Sequence, residues 1–149
     1  MDKVTFLNGN VIEFIDKSLI PLRFVAPESP AVVKDFNLKR TPMWLILDSE
    51  GAEHHQTVGF FSPEALIPSL MLGMAKAHFD QGGYEEALQA LENLLARYPE
   101  DDSIPEAIYL RGGARFKSTR DRSHLRELYE QLWVQYPLSP WTKRAYGRV

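Results

Sequence analysis

The spacing of apolar residues along the chain changes near residue 62. Up to Phe61 they form short runs separated by turn residues, whereas from Ser62 onward they recur every three or four positions with few β-branched residues. This pattern predicts two architectures in series, with domains at residues 1–62 and 63–149. The first is predicted to be α/β and the second all-α.

The first domain is predicted to alternate helices and strands. Its elements are a helix after Asn10, a strand over residues 19–25, a helix over residues 31–36, a strand over residues 43–47 and a second strand that ends near residue 60. Asn10 and Ser29 are suitable N-caps for the two helices. The run at residues 43–47 is apolar throughout, which is typical of a strand buried on both faces. The turn residues at 48–51 predict that the last two strands form a hairpin.

The second domain is predicted to be a short array of helical hairpins. Its helices begin at Ser62–Pro63, Tyr84, Ala107 and Leu125, and a helix of about two turns follows Ser139 and Pro140. The pair Tyr98–Pro99 recurs later in the chain as Tyr136–Pro137. This self-similarity predicts two stacked hairpins, with the short last helix as a cap.

Composition excludes several classes of function. The net charge of -3 gives no general attraction to nucleic acid or to anionic lipid. No apolar stretch approaches the roughly 18 residues that span a bilayer, so we expect a cytoplasmic protein without a membrane partner. The chain has no cysteine, which excludes disulfides, thiolate metal sites and a cysteine nucleophile. The chain as given is therefore predicted not to be an enzyme.

Few of the polar residues in the sequence are candidates for a catalytic, metal-binding or ligand-binding role. His54 and His55 are adjacent on a predicted strand, so they point to opposite faces, and we interpret them as surface histidines. The acidic run at residues 100–102 is interpreted as solvated. Arg111 and Arg115 share one helical face and are candidates for binding a partner's carboxylate, although a solvated basic surface is the favoured interpretation. We expect no metal and no cofactor.

Aromatic residues cluster near the C-terminus. They are Trp133, Tyr136, Trp141 and Tyr146. We interpret them as packing of the cap, with exposure as the alternative, in which case they mark a binding patch.

The second domain resembles a known family of helical repeats. Gly82 to Ala87, with Leu91, Leu94 and Pro99 after them, resembles the tetratricopeptide repeat, in which a tight turn, a small alanine and a closing proline recur. The second hairpin fits less well, because Leu125 stands near the position of the consensus alanine. The resemblance implies a scaffold that binds a protein or peptide client.

The order of elements before residue 62 resembles the thioredoxin fold from its second helix onward. In that fold a cis-proline precedes the hairpin, and here Thr41 and Pro42 stand at that position. The resemblance implies a cis Thr41–Pro42 bond, against a base rate of about 5–6%. It also implies that Thr41 and Pro42 are substrate-binding residues, whose backbone faces an extended peptide.

The central strand and the Cys-x-x-Cys turn of the thioredoxin fold are missing from the sequence, and two hypotheses account for this. In the first, Met1 is an internal methionine of a longer thiol-disulfide oxidoreductase, whose cysteines lie directly upstream. In the second, the chain is a redox-inactive interaction module. Residues 3–7 then supply the missing strand, or the open sheet pairs with a partner chain in a homodimer.

Overall fold

The computed structural model describes residues 4–149. Its helices and strands are, in order, α1 (Gly9–Ser18), α2 (Pro30–Asp35), β1 (Met43–Leu47), β2 (Glu53–Val58), α3 (Pro63–Asp80), α4 (Tyr84–Arg97), α5 (Ile104–Thr119), α6 (Ser123–Gln135) and α7 (Pro140–Tyr146). The chain divides into two compact units. The first contains the chain up to Leu45 and residues 56–67, and the second contains residues 46–55 and 68–149. The prediction that domains meet between residues 62 and 63 stays a prediction.

The N-terminal part of the first unit begins with a helical turn rather than a strand. Thr5–Leu7 forms a 3-10 turn, and the Thr5 hydroxyl donates to the Phe61 carbonyl at 2.6 Å. The prediction of a strand over residues 3–7 is therefore wrong for its described part, and Lys3 lies outside the described residues. The N-cap of α1 is Asn8 and not Asn10, because the Asn8 side chain accepts from two amides of the first turn.

The strand predicted over residues 19–25 does not form. The backbone is extended at Leu19 and at Val25, but the only sheet within residues 4–149 pairs β1 with β2. Leu22 and Phe24 in this segment are exposed. An apolar run was therefore not enough to form a strand here, because a strand also needs a partner in the sheet.

The predicted hairpin is confirmed. β1 and β2 form a two-stranded sheet, and the Asp48 carboxylate closes the turn by accepting from the amides of Glu50 and Ala52, both at 2.9 Å. Gly51 has a φ of 83°, a conformation that favours glycine. The prediction that β1 is buried on both faces is wrong in part, because only Ile46 is fully buried and the other residues of the strand are half-buried.

The predicted helical hairpins are confirmed as α3 to α6, with α7 as the short last helix. The core of the second unit consists of small and leucine side chains with no exposed surface, namely Ala75, Ala87, Leu91, Leu94, Ala107 and Leu132. α7 is attached to the end of α6 by Thr142, whose buried hydroxyl donates to the Tyr136 carbonyl at 2.6 Å. Ser139 caps α7 by accepting from the Trp141 amide.

The helices of the second hairpin approach closely at a glycine. A Cβ added to Gly112 on α5 would lie 2.5 Å from Leu128 Cβ on α6. Leu128 is buried, and a Cβ atom moves only with its backbone. A side chain at residue 112 would therefore push the two helices apart.

We predict that Gly112→Ala destabilises the protein by about 1–3 kcal/mol, the usual cost of overpacking a core. The matched control is Gly113→Ala, whose Cβ would lie 3.6 Å from Phe79 at an ordinary van der Waals distance. This control should be neutral, or more stable by up to about 1 kcal/mol, because alanine has the higher helix propensity. Urea unfolding of the two variants measures both effects. Equal stability of the two variants would contradict the close-approach explanation.

Candidate functional site

The tip of the β-hairpin covers one face of α3 in the second unit. Ser69, Gly73, Lys76 and Asp80 share that face at helical spacing. Gly73 has no side chain to separate α3 from the hairpin, and a Cβ there would lie 2.5 Å from Cγ1 of Ile46. A protein partner therefore cannot reach this face of α3 while the hairpin tip is bound to it.

His54 links the hairpin to the end of α3 through two carboxylates. Its Nε2 lies 2.9 Å from Asp48 Oδ2, and its Nδ1 lies 2.8 Å from Asp80 Oδ2. The side chain of His54 is only 8% exposed, so the prediction of a surface histidine is wrong. The hydrogen bonds to Asp80 and then to Asp48 raise the pKa of His54. In turn, the His54 hydrogen bond and the Ala52 amide lower the pKa of Asp48 to about 2.

His55 belongs to a second polar network on the same face of α3. Its Nδ1 lies 3.3 Å from Lys76 Nζ, and Lys76 forms an ion pair of 2.6 Å with Glu106 on α5. Burial, followed by the nearby Lys76 charge, lowers the pKa of His55. The surface interpretation is wrong for this histidine too. Within residues 4–149 no cluster of histidine and carboxylate side chains is arranged to hold a metal ion.

We predict that His54 stabilises the protein more at low pH than at high pH. Because its folded pKa is raised above the ordinary 6.5, its contribution is complete below that pH and is lost as the pH rises through the folded pKa. His54→Gln should cost about 1–3 kcal/mol near pH 6, the cost of losing hydrogen bonds to charged groups, and much less near pH 9.

The neighbouring histidine provides the control for this pH dependence. The pKa of His55 is lowered, so its contribution is complete above pH 6.5 and is lost as the pH falls through the folded pKa. His55→Gln should therefore show the opposite trend in urea unfolding measured across the same pH range. A cost of His54→Gln that does not change with pH would show that the ring is not charged in the folded protein.

Two arginines of α5 hold one carboxylate of α4. Arg115 donates to Glu92 at 2.8 Å, and Arg111 donates to Glu92 at 3.5 Å and to Gln131 on α6 at 2.6 Å. The prediction that Arg111 and Arg115 share one face is confirmed by this common partner. The arginine side chains are 19% and 39% exposed, respectively, so they lie at an accessible surface but already bind an internal carboxylate.

The Thr41–Pro42 turn lies in the first unit, directly before β1. The peptide bond between the two residues is cis, which confirms the prediction. Thr41 is exposed and Pro42 is half-buried, and the Pro42 carbonyl accepts from the Gly59 amide at 2.9 Å. Trp44, two residues on, packs its ring 5.4 Å from that of Phe6.

The C-terminal aromatic residues divide between packing and exposure. Trp141 packs on the ring of Tyr109 at 5.1 Å, in agreement with a cap. Tyr129 contacts the rings of Trp133 and Tyr146 at 6.1 and 5.8 Å, but Trp133 is 57% and Tyr146 is 70% exposed. The contacts of Tyr129, and those of Glu92 and Asp80 in the polar clusters, were not predictable from the sequence, because ordinary helix-surface residues carry no signal of their partners.

The second unit is built from consecutive helical hairpins. Comparison with known protein families supports its description as a helical-repeat fold. The tetratricopeptide repeat family matches residues 69–101, which contain most of α3, the glycine turn and all of α4. The predicted resemblance is therefore confirmed for the first hairpin. Comparisons with curated proteins and with solved structures found no match. No helix within the described residues is long and apolar enough to cross a membrane.

Proposed function

We propose that this protein is a cytoplasmic, non-catalytic interaction module that binds a protein or peptide client. The observation that carries the proposal is the tetratricopeptide repeat at residues 69–101, continued by the helices α5 to α7. Repeats of this kind build extended surfaces that bind other proteins. The chemistry of the chain agrees, because it has no cysteine and its histidines 54 and 55 are engaged in structural networks.

Two surfaces are candidates for the client. The first lies on α5 and α6 around Arg111, Arg115 and Gln131, which form one polar cluster at the surface. An acidic segment of the client would compete there with Glu92 for the two arginines. The second is the Thr41–Pro42 turn, which the resemblance to thioredoxin assigns to peptide binding and which exposes Thr41.

We predict that the full chain selects binding peptides from a random phage-displayed library. A synthetic copy of a selected peptide should bind saturably in fluorescence anisotropy, and a scrambled copy should not. If the repeats bind it, Arg111→Ala combined with Arg115→Ala weakens binding at least about tenfold, the cost expected for losing charge-assisted hydrogen bonds. Arg126→Ala is the matched control, because Arg126 is an exposed arginine of α6 outside this cluster.

Hydrogen exchange of the complex then assigns the surface. Protection of α5 and α6 identifies the repeats as the binding surface, and protection of residues 41–45 identifies the turn. If no peptide is enriched over a bare support, the proposed function is wrong.

The alternative function is the C-terminal part of a thiol-disulfide oxidoreductase with a Cys-x-x-Cys segment directly upstream of Met1. The resemblance of the segment 1–62 to the thioredoxin fold supports it. This alternative predicts that the endogenous protein, captured with an antibody against this chain, is heavier than 17.1 kDa and reacts with a thiol probe after reduction. An intact mass equal to that of the chain would exclude it.

A further inference from the structure

We propose that two copies of this chain form a homodimer through the exposed end of the helical array, formed by α6 and α7. We call this surface the end face. Its exposed apolar side chains are Trp133, Val134, Leu138 and Tyr146. Self-association here is separate from client binding, because it uses neither the Thr41–Pro42 turn nor the arginine cluster.

The internal repeat shows that equivalent positions of α4 and α6 differ in how far other helices cover them. In the register set by the two Tyr-Pro pairs, Tyr129 and Trp133 on α6 correspond to Leu91 and Leu95 on α4. Leu91 is completely buried, because the 16 residues of α5 pack along α4. The corresponding cover for α6 is α7, which has only 7 residues. The same helix position is thus a core position in one repeat and a partly open surface in the next.

One charged residue of α6 also differs from its counterpart on α4. Glu130 corresponds to Glu92, whose carboxylate is held by Arg111 and Arg115 from the covering helix. Glu130 is exposed, and the part of the chain from residue 4 onward gives it no ion-pair partner. The end face therefore lacks a full-length helix packed over its apolar side chains, and Glu130 lacks the arginines that Glu92 has.

The end face carries exposed aromatic rings and a basic side chain, which are the groups that a partner would need in order to cover it. We therefore assign a second copy of this chain as the occupant. On α6 the exposed Trp133 follows the acidic Glu130 by three residues, and on α7 the exposed Tyr146 follows the basic Lys143 by three residues. Residues three apart on a helix share a face. If a two-fold axis places α6 of each copy against α7 of the other, each aromatic ring meets an aromatic ring and each Glu130 meets a Lys143. Such self-complementarity is what a two-fold interface requires.

The apolar character of the surface agrees with this assignment. Leu138 is 91% and Val134 is 77% exposed, and monomeric proteins rarely expose contiguous apolar patches of more than a few hundred Å². Tryptophan and tyrosine are the residues that most often anchor protein interfaces.

Sedimentation velocity of the full chain tests the proposal at concentrations from about 1 to 100 μM, which covers affinities typical of weak to moderate dimers. We expect the wild-type chain to approach twice its 17.1 kDa monomer mass. Trp133→Ser should raise the dimer dissociation constant at least about tenfold, as expected for an interface anchor. It should keep the wild-type circular dichroism spectrum, because the side chain is more than half exposed in the monomer.

Two further variants locate the interface. Leu22→Ser removes an exposed leucine of the first unit and should leave the dimer intact. Glu130→Lys should weaken the dimer, and adding Lys143→Glu should restore it, because the exchanged charges again attract each other. If Glu130→Lys weakened the dimer only by disturbing the fold, adding Lys143→Glu would not restore it.

The proposal is overturned if the wild-type chain is a monomer throughout this range, or if Trp133→Ser dimerises as tightly as the wild type. It is also overturned if Leu22→Ser alone abolishes the dimer, which would assign self-association to residues 19–25, or if the charge exchange fails to restore it. Peptide binding by monomeric Trp133→Ser is measured separately. Loss of the dimer with retained peptide binding, or the reverse, therefore distinguishes the two proposals.

Discussion

Close packing between consecutive helices of the second unit is the constraint on which its surfaces depend. At Gly112 the backbone of α5 comes so near to Leu128 of α6 that a side chain has no room. Ala75, Ala87 and Ala107 are buried without exposed surface in the same way. Because a packed core admits only small adjustments, these small residues fix the spacing of the helices. That spacing brings Arg111 within reach of both Glu92 and Gln131.

The contact between the hairpin tip and α3 has a different physical character, since polar groups dominate it. His54 joins two carboxylates, and His55 and Lys76 continue to Glu106 on α5. Partly buried polar groups are favourable only when they are paired, so the arrangement fixes the register of the hairpin on the helix. The two histidines have pKa values displaced in opposite directions. The two imidazoles are therefore adjacent in sequence but lie in opposite electrostatic environments, and the junction occupies one face of α3.

The candidate surfaces were only partly predictable from the sequence. Helical spacing was enough to place Arg111 and Arg115 on one face, and the resemblance to thioredoxin was enough to single out Thr41 and Pro42. The partners Glu92 and Asp80 were not predictable, because each comes from an element distant in sequence and resembles any solvated acid. The end face is an intermediate case. The sequence contains its aromatic residues and its repeat register, but the structure was needed to show that Leu91 is buried whereas its counterpart Tyr129 is half-buried.

The sequence by itself determined the features that depend on neighbours along the chain. These are the five helices after residue 62, the β-hairpin with its Asp48–Gly51 turn, and the repeated Tyr-Pro pair that closes each helical hairpin. Tertiary structure decided what depends on distant partners. Residues 19–25 have the apolar run of a strand but belong to no sheet within residues 4–149, since a ladder requires a second strand at the right place. His54 and His55 have the sequence of a surface strand but become half-buried, because Gly73 lets the hairpin lie directly against α3.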